Sequence, residues 1–230
     1  MSSLRTEALL GKEGMQKLKD SVIVLAGLGG VGGQVFEALV RCGIGKLIII
    51  DYDTVSPTDL NRQILATEES MGGYKTEAAK KRAGLIEPET IICTVNKKIG
   101  KTEDLDFLEG IKIDYIIDAI DGFEGKISLI CYARTHNIPV ISSMGMGNRL
   151  DPQKIRTSDV FETNGCPLAR KMRQRLRKEG IIELKVVFST EQPIRHGNDF
   201  IGSAVFVPAA AGLLIAAETV KDIIFSGGRK

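Results

Sequence analysis

Apolar runs alternate with amphipathic segments along most of the chain, and each pattern predicts a different element. Apolar residues at helical spacing predict helices at 33–43, 73–87 and 126–137. Short runs rich in Val and Ile are typical of strands that are buried on both faces. These runs occupy residues 21–27, 46–53, 91–99, 114–121 and 138–147. The alternation predicts an α/β fold with a doubly wound, Rossmann-like, mostly parallel sheet and helices on both faces.

The chain beyond residue 150 follows this alternation less regularly. A basic helix is predicted at 167–179 and a further strand at 184–190. No internal repeat or low-complexity linker separates these elements from those before them. We therefore expect one domain over residues 1–230, with a peripheral, basic helical insertion at about 151–182.

An uncharged stretch, FIGSAVFVPAAAGLLIAA, covers residues 200–217. Its eighteen residues match the length of a marginal membrane span. Pro208 interrupts it, however, and it continues into the charged helical pattern AAETVKDII. We expect a buried strand–turn–helix, in the core or in a subunit interface, and a membrane segment is the disfavoured alternative.

The composition is that of an ordinary globular protein. The chain has 230 residues, of which 43% are hydrophobic and 26% charged, and its net charge of +2 is too small to indicate nucleic-acid binding by itself. Its four cysteines form no C-x-x-C pair, which argues against a zinc site and a disulfide framework. The charged N-terminal segment has no signal-peptide pattern, so we expect a cytoplasmic protein.

A glycine pattern, G-x-G-x-x-G, joins the first predicted strand to the first predicted helix. Gly27 permits a tight turn, Gly29 lets phosphates approach the backbone, and Gly32 packs the helix against the strand. Free N–H groups and the helix dipole favour a phosphate there. Asp51 ends the next strand, nineteen residues after Gly32, where a carboxylate accepts hydrogen bonds from ribose hydroxyls. The arrangement predicts nucleotide binding, but it fits NAD, FAD or another adenine nucleotide.

Polar residues after the later strands favour a triphosphate over a dinucleotide. Arg62 and Lys75 follow the second strand, and Asp121 follows the fourth, where Asp118 either joins the site or caps a helix. Arginine and lysine neutralise phosphates, and a hard carboxylate binds magnesium, so the set predicts Mg-ATP. His196 is a further candidate for this site. The candidate ATP-binding residues are Gly27, Gly29, Gly30, Gly32, Asp51, Asp53, Asn61, Arg62, Gln63, Lys75, Asp118 and Asp121.

The motifs GLGGVGG, IIIDYDTVSPTDLNRQ, MGGYKTEAAKKR and IIDAID resemble those of the adenylating, ThiF-type family. That family includes ubiquitin-activating enzymes and the bacterial adenylyltransferases of molybdopterin and thiamine sulfur carriers. The resemblance covers about residues 4–145. It implies that Gly30 contacts the nucleotide, that Asp51 binds the ribose, and that Asp121 holds Mg²⁺ with Asp118 nearby. The residues that it implies for the phosphates are Asn61, Arg62 and Lys75.

The same resemblance extends to the N-terminal segment SSLRTEALLG. Arg5 matches an arginine that family members donate across a dimer to the ATP of the partner. This match implies a homodimer with two composite sites. The catalytic residues that the resemblance implies are Arg5, Arg62, Lys75 and Asp121.

Later segments distinguish branches of this family. Sulfur-carrier branches contain two C-x-x-C pairs for structural zinc, and ubiquitin activators contain a domain with a nucleophilic cysteine, but this sequence has neither. The segments IPVISSMGMGNRLDPQKIRTSDVFETNGCPLARKMRQRLRKEGI and LKVVFSTEQP are instead similar to those of tRNA threonylcarbamoyladenosine dehydratases. The implied activity is ATP-dependent cyclisation of threonylcarbamoyladenosine next to the tRNA anticodon, through adenylation of the threonyl carboxylate.

The predicted basic helix is a candidate tRNA contact. Leu168, Met172 and Leu176 recur every fourth residue and predict an inward stripe, so that basic residues cover the rest of the helix. In a nearly neutral protein such a helix favours phosphate contacts, with a merely solvated helix as the alternative. The candidate residues are Arg170, Lys171, Arg173, Arg175, Arg177 and Lys178.

Cys166 precedes Pro167, a favoured first helical residue, so we expect it to be a non-catalytic N-cap. A helix N-terminus beside arginines also favours a reactive thiol, and this alternative stays open.

The resemblance implies ATP and Mg²⁺ as cofactors, a tRNA partner and no zinc. A monovalent cation near the site and a cysteine-desulfurase or sulfur-acceptor partner stay open. The alternative function is an adenylyltransferase that activates the C-terminal carboxylate of a ubiquitin-like sulfur-carrier protein. An NAD-binding oxidoreductase, or a silent nucleotide-binding module, would depend on the glycine turn alone.

Overall fold

A computed structural model describes residues 4–194, 197 and 200–225, so His196 lies outside the described residues. Within these ranges seven strands form one sheet. The strands are β1 (Val22–Ala26), β2 (Lys46–Ile50), β3 (Ile91–Val95), β4 (Tyr115–Asp118), β5 (Val140–Ser143), β6 (Ile155–Asp159) and β7 (Lys185–Ser189). Their order across the sheet is β3-β2-β1-β4-β5-β7-β6.

The sheet is parallel except at one edge, where β6 pairs antiparallel with β7. The chain adds β2 and β3 on one side of β1, and β4 and β5 on the other. The direction of winding therefore reverses between β1 and β4, and a crevice opens there at the carboxyl ends of the strands. This topology confirms the predicted doubly wound, mostly parallel fold.

Helices cover both faces of the sheet. Because successive strand residues point to opposite faces, Ile23 and Leu25 pack in one core, and Val24 and Ala26 in the other. Helices α1 (Leu4–Asp20), α2 (Gly32–Arg41), α3 (Lys75–Ile86) and α6 (Phe206–Phe225) contribute to the first core, and α4 (Phe123–Thr135) and α5 (Pro167–Lys178) lie against the opposite face. Short 3₁₀ helices occur at Pro57–Asp59, Glu68–Ser70, Thr102–Leu108, Pro152–Lys154 and Val160–Glu162.

Helix α6 is held against α2 and the sheet at both of its ends. Near its start, a Cβ on Gly212 would lie 2.5 Å from the carbonyl oxygen of Val31, so only glycine permits this approach to α2. Near its end, Asp222 accepts a hydrogen bond from the Tyr115 hydroxyl at 2.7 Å and forms an ion pair with Lys185 at 2.9 Å. Burial, followed by Asp222 itself, raises the pKa of Tyr115, so this hydroxyl remains a donor. These contacts position the first turn of α6 beside the crevice.

Two sequence-based expectations for the second half of the chain were wrong. The stretch 200–217 contains no strand among its described residues, because α6 begins at Phe206 and continues to Phe225. Pro208 lies in the first turn of α6, where its missing N–H leaves no helical bond unmade. No helix in the described part of the chain is long and apolar enough to cross a membrane.

The segment 151–182 is not a purely helical insertion at the periphery. It supplies β6, which completes the edge of the sheet, before it continues into α5. Ala169, Met172 and Leu176 of α5 are buried against the sheet side, whereas Leu168 is only partly buried. The inward stripe is therefore shifted by one residue at its first position.

A buried ion pair joins β4 to α4 beneath the crevice. The carboxylate of Asp118 is 0% exposed and the ammonium of Lys126 is 1% exposed, with Nζ and Oδ2 3.0 Å apart. Asp118 also accepts hydrogen bonds from the Ser142 hydroxyl and from the backbone N–H of Ile120. Lys126 donates a second hydrogen bond, to the carbonyl oxygen of Ser143 at 2.7 Å. The pair therefore fixes the ends of β4 and β5 relative to each other.

Replacement of Lys126 by methionine should strongly destabilise the fold, because it leaves the Asp118 carboxylate buried without its cation. We expect Lys126→Met to lower the free energy of unfolding by about 3–5 kcal/mol in urea denaturation. Lys112 forms an exposed pair with Asp114 at 3.7 Å, so Lys112→Met is the control and should change stability by less than about 1 kcal/mol. Equal losses in the two variants would contradict this role for Lys126.

Candidate active site

The turn between β1 and α2 lies at the centre of the crevice. Gly27 has a φ of +90°, and a Cβ there would lie 2.5 Å from the carbonyl oxygen of Ala119. A Cβ on Gly32 would lie 1.8 Å from the carbonyl oxygen of Gly27. Both distances are too short for any side chain, so the packing of the protein itself requires these two glycines.

Gly29 has a different reason to be glycine. A Cβ at this position would meet no atom within 4 Å, and the residue does not adopt a left-handed backbone conformation. The folded protein therefore does not require glycine here. The open space lies where a phosphate would approach the N-terminus of α2, and this observation supports the predicted phosphate contact.

Gly30 brings the glycine turn into contact with the next loop. The space that its Cβ would occupy is bordered by Pro208 of α6 at 3.2 Å and by Cγ of Arg62 at 3.6 Å. The structure therefore places the Arg62 side chain against the turn. The first turn of α6 closes the same side.

Asp51 links the end of β2 to the glycine turn. Its carboxylate accepts hydrogen bonds from the backbone N–H groups of Leu28 at 2.6 Å and Asp53 at 2.8 Å. Burial raises the pKa of Asp51, and the two backbone hydrogen bonds together with Lys75 partly offset this effect. Each carboxylate oxygen keeps a second lone pair, so both can still accept from a ribose hydroxyl. The position agrees with the predicted ribose contact.

Asp59 connects three of the predicted phosphate-site residues. It accepts a hydrogen bond from the Gln63 amide at 2.6 Å, and it lies 3.8 Å from the Lys75 ammonium and 3.6 Å from the Arg62 guanidinium. Lys75 also pairs with Asp53 at 3.2 Å. Gln63 is buried, so its amide holds Asp59 and does not face the open crevice.

Asp59 was missed at the sequence level, although a signal was present. The segment SPTD matches a capping box, in which Ser56 and Asp59 satisfy each other's backbone groups around a helical first turn with proline at its start. The Ser56 backbone N–H donates to Asp59 at 3.0 Å, as this motif requires.

Asn61 links the phosphate loop to the segment before α6. Its amide oxygen accepts a hydrogen bond from Arg62 at 3.0 Å, and its amide nitrogen donates to the carbonyl oxygen of Ser203 at 2.9 Å. Arg62 also donates to the carbonyl oxygen of Thr58 at 2.6 Å. The two predicted residues are therefore held together, with their polar groups partly engaged by the protein.

The two aspartates after β4 have different environments. Asp118, predicted as a nucleotide contact, is instead fully buried and paired with Lys126, because the β4 side chain at this position points into the core. Asp121 is exposed at the crevice. Asp53, together with smaller effects of burial, Asp121 and Asp51, raises the pKa of Tyr52.

Asp121 can hold Mg²⁺ without a larger protein ligand set. Mg²⁺ is commonly bound by one or two carboxylates together with substrate phosphates and water. No three His, Cys, Asp or Glu side chains in the described part of the chain group as metal ligands. The residues present thus fit a magnesium ion that arrives with a triphosphate.

Arg5 and Cys166 lie away from this cluster. Arg5 is exposed in the first turn of α1, where a second molecule could be reached. Cys166 is the N-cap of α5, as predicted, and its side chain makes no capping hydrogen bond. Its thiol side chain is 5% exposed within an apolar cluster that includes Met172 and Phe188, a position unsuited to a reactive cysteine.

The basic residues of α5 divide into two groups. Arg173 donates to the carbonyl oxygens of Val160 and Thr163 at 3.2 and 3.1 Å, and Arg175 pairs with Glu179 at 2.7 Å. These two guanidinium groups are engaged within the protein, contrary to the expectation of free phosphate contacts. The exposed basic residues, which share the outer face of the helix, are Arg170, Lys171, Arg177 and Lys178.

Substitution of Gly29 should separate nucleotide binding from folding. We expect Gly29→Ala to leave the urea unfolding midpoint nearly unchanged and to weaken ATP binding at least about tenfold in calorimetry, because its methyl group fills the phosphate space. Gly84→Ala on α3 is the control, since a Cβ there also meets no atom within 4 Å. Wild-type ATP affinity in Gly29→Ala would refute the phosphate position.

Comparisons with known proteins agree with this arrangement over the full chain. The tRNA threonylcarbamoyladenosine dehydratase of Bacillus subtilis is 36% identical over 96% of this chain and 93% of its own. The crystal structure of Escherichia coli tRNA N6-threonylcarbamoyladenosine dehydratase in complex with AMP has a TM-score of 0.92 and 33% identity, covering 98% of this chain and 95% of that chain. The complex of the same enzyme with ATP has a TM-score of 0.91 at 33% identity over the same shares. The ThiF family model matches residues 2–227, and the chain belongs to the ThiF family.

Proposed function

We propose that this chain is an ATP-dependent tRNA threonylcarbamoyladenosine dehydratase. The observation that carries the proposal is the extent of the similarity to the E. coli dehydratase, which covers 98% of this chain and includes the segments after the nucleotide half. Those segments form β6, β7 and α5, whereas a ubiquitin-like modifier-activating enzyme 5 matches only 54% of this chain. The ATP and AMP complexes of that enzyme support adenylation chemistry at the crevice.

The crevice binds ATP through groups that differ in their task. The backbone N–H groups around Gly29 and the N-terminus of α2 receive phosphate oxygens, and Asp51 accepts from the ribose. Arg62 and Lys75 provide positive charge beside the phosphates. Asp121 holds Mg²⁺, which neutralises negative charge on the triphosphate when it is bound.

The reaction depends on the relative position of ATP and the modified nucleoside, and it uses no nucleophile from the protein. A threonyl carboxylate oxygen attacks the α-phosphorus of ATP, and pyrophosphate leaves. A nucleophile within the modified base then attacks the activated carbonyl carbon, the ring closes, and AMP leaves with the carboxylate oxygen. The net result is the loss of one water from the nucleoside. Buried Cys166 has no task in this sequence.

The outer face of α5 supports a contact with the tRNA backbone. Lys171 and Arg177 lie over the rings of Phe123 and Phe161 at 3.9 and 5.4 Å, which orders both cations while they stay exposed. We extend the proposal to a cytoplasmic homodimer in which Arg5 of one protomer reaches the ATP of its partner. We include neither a monovalent cation nor a sulfur-transfer partner, because no group of described side chains indicates either.

A direct assay tests the reaction. The protein is incubated with ATP, Mg²⁺ and tRNA that bears threonylcarbamoyladenosine, and the digested nucleosides are analysed by mass spectrometry. We expect an ATP-dependent product that is lighter by one water. An unchanged nucleoside, together with ATP–pyrophosphate exchange induced by a ubiquitin-like sulfur carrier, would establish the adenylyltransferase alternative instead.

The role of Asp121 is tested in the same assay. We expect Asp121→Asn to lower the turnover rate about 100-fold or more and to raise the Mg²⁺ concentration needed for half-maximal rate, because it removes the metal-binding charge. Glu183→Gln removes an exposed carboxylate just before β7, at the opposite edge of the sheet, and should leave both quantities unchanged. An unaltered Mg²⁺ requirement in Asp121→Asn would remove the metal assignment.

The tRNA contact of α5 is tested by the salt dependence of binding. Replacing Arg170 and Lys178 with glutamine should reduce the slope of log K against log salt concentration by about 1.4–1.8, because two phosphate contacts are lost. Lys12 and Lys80 are equally exposed on helices of the opposite face, so their double glutamine variant is the matched control. Identical slopes in the two variants would place the tRNA elsewhere.

A further inference from the structure

Arg149 is a buried cation in the loop that follows β5. The residue is only 6% exposed to solvent. Nη1 donates to the carbonyl oxygens of Gly145 and, at 3.1 Å, Gly147, and Nε donates to the carbonyl oxygen of Glu191 at 3.2 Å. Nη2 is buried and has no hydrogen-bond partner. A buried donor without an acceptor is costly, and in native proteins it calls for an explanation.

The charge of Arg149 also has no anionic partner among the residues that the structure describes. The other fully buried cations of the described chain, Lys75 and Lys126, each lie within 4.0 Å of an aspartate oxygen. No carboxylate oxygen of a described residue lies within that distance of Arg149, and the groups that accept its hydrogen bonds are neutral backbone carbonyls. Since buried charges are normally paired, the described part of the chain leaves the charge of Arg149 without its expected anionic partner.

The N-terminus of α5 lies beside Arg149. A Cβ on Gly145 would be 3.8 Å from Nη1 of Arg149 and 3.8 Å from Cβ of Leu168, so one further atom fits between them. Gly145 itself is partly exposed, whereas Nη2 of Arg149 is buried. The side chain of the N-cap, Cys166, does not bond the free N–H groups of the first turn. The guanidinium of Arg149 and the first turn of α5 therefore both border the space beside Gly145.

This point lies on the acceptor side of the crevice. The loop follows β5, the glycine turn follows β1, and β4 lies between these two strands. Two strand spacings separate the loop from the turn, about 10 Å. The loop that holds Arg149 thus lies on the side of the crevice where β7 and α5 form the wall.

We infer that Arg149 and the N-terminus of α5 bind the carboxylate of the threonylcarbamoyl group before its adenylation, an inference that rests on the proposed function. The planar guanidinium matches the shape and the charge of a carboxylate. The substrate oxygen is also the one that must approach the α-phosphorus, so a cation at this place offsets the repulsion between the two anions.

The test compares two anticodon stem-loop RNAs in the presence of a non-hydrolysable ATP analogue. One carries threonylcarbamoyladenosine, and the other carries the same nucleoside with its carboxylate converted to a primary carboxamide. We expect the wild-type protein to bind the carboxylate RNA about 10- to 100-fold more tightly. Arg149→Gln should reduce this ratio to about twofold or less while its affinity for the ATP analogue is retained, a pattern that a purely structural role would not produce.

A second variant keeps the guanidinium in place. Gly145→Ala should fold normally, because the nearest atoms to its Cβ are at 3.8 Å, yet it should also lower the ratio by filling the space for the ligand. The control is Arg156→Gln, which removes an exposed arginine that also donates to backbone carbonyls, at Gln153 and Ile155. Arg156→Gln should leave the ratio unchanged.

The outcomes separate this inference from the proposed function. A full preference for the carboxylate in Arg149→Gln and Gly145→Ala would overturn the inference while wild-type conversion of the modified tRNA still supports the function. Equal weakening of both RNAs by Arg149→Gln, with a smaller salt slope, would assign Arg149 to an RNA phosphate and also overturn it. Absence of any ATP-dependent conversion by the wild-type protein would reject the proposed function and the inference together.

Discussion

The close contact between Gly27 and Gly32 determines where every other group of the crevice lies. Because neither residue has a Cβ, the first turn of α2 sits directly on the end of β1. Helix α6 then packs on α2 through Gly212, and Arg62 packs on the turn at Gly30. A displacement of α2 by the thickness of one methyl group would move the phosphate-binding amides, the wall formed by α6 and the arginine together.

Around this turn, the buried charged side chains have hydrogen-bond or ion-pair partners. Asp51 receives backbone N–H groups, Lys75 lies between Asp53 and Asp59, and the Asp118–Lys126 pair joins β4 to α4. In an interior where charges are poorly solvated, such matching keeps the site rigid before any substrate arrives. Arg149 departs from this rule, and the departure occurs at the opposite side of the crevice from the nucleotide.

The sequence was sufficient to predict the strands and helices whose apolar residues recur with a regular period. It was insufficient to predict elements and side-chain roles that depend on contacts between distant parts of the chain. The Val- and Ile-rich strands and the helices between them follow from alternation, but β6 (Ile155–Asp159) is an edge strand of mostly polar residues and carries no such signal. Asp118 and Arg173 have the residue types that phosphate sites use, yet the contacts that engage them, with Lys126 and with the Val160–Thr163 turn, appear only in three dimensions. Arg149 is a lone arginine in a loop of the sequence. Only the structure shows that its Nη2 is buried without a hydrogen-bond partner, which is what suggests a function for this residue.

The carboxyl edge of the sheet has a nucleotide half and an acceptor half. Each half needs its own cations, because the triphosphate and the substrate carboxylate repel each other. Two unit charges about 4 Å apart repel by about 4 kcal/mol at an effective dielectric constant of about 20, so a carboxylate does not approach a triphosphate without a compensating cation. Lys75 and Arg62 lie near aspartates and belong to the nucleotide half. The acceptor half must therefore bring its own positive charge, and Arg149 beside α5 is the buried cation that the described structure provides for it. Because β5, β7 and α5 form this half independently of the glycine turn, a different acceptor can be accommodated there without a change to the nucleotide site.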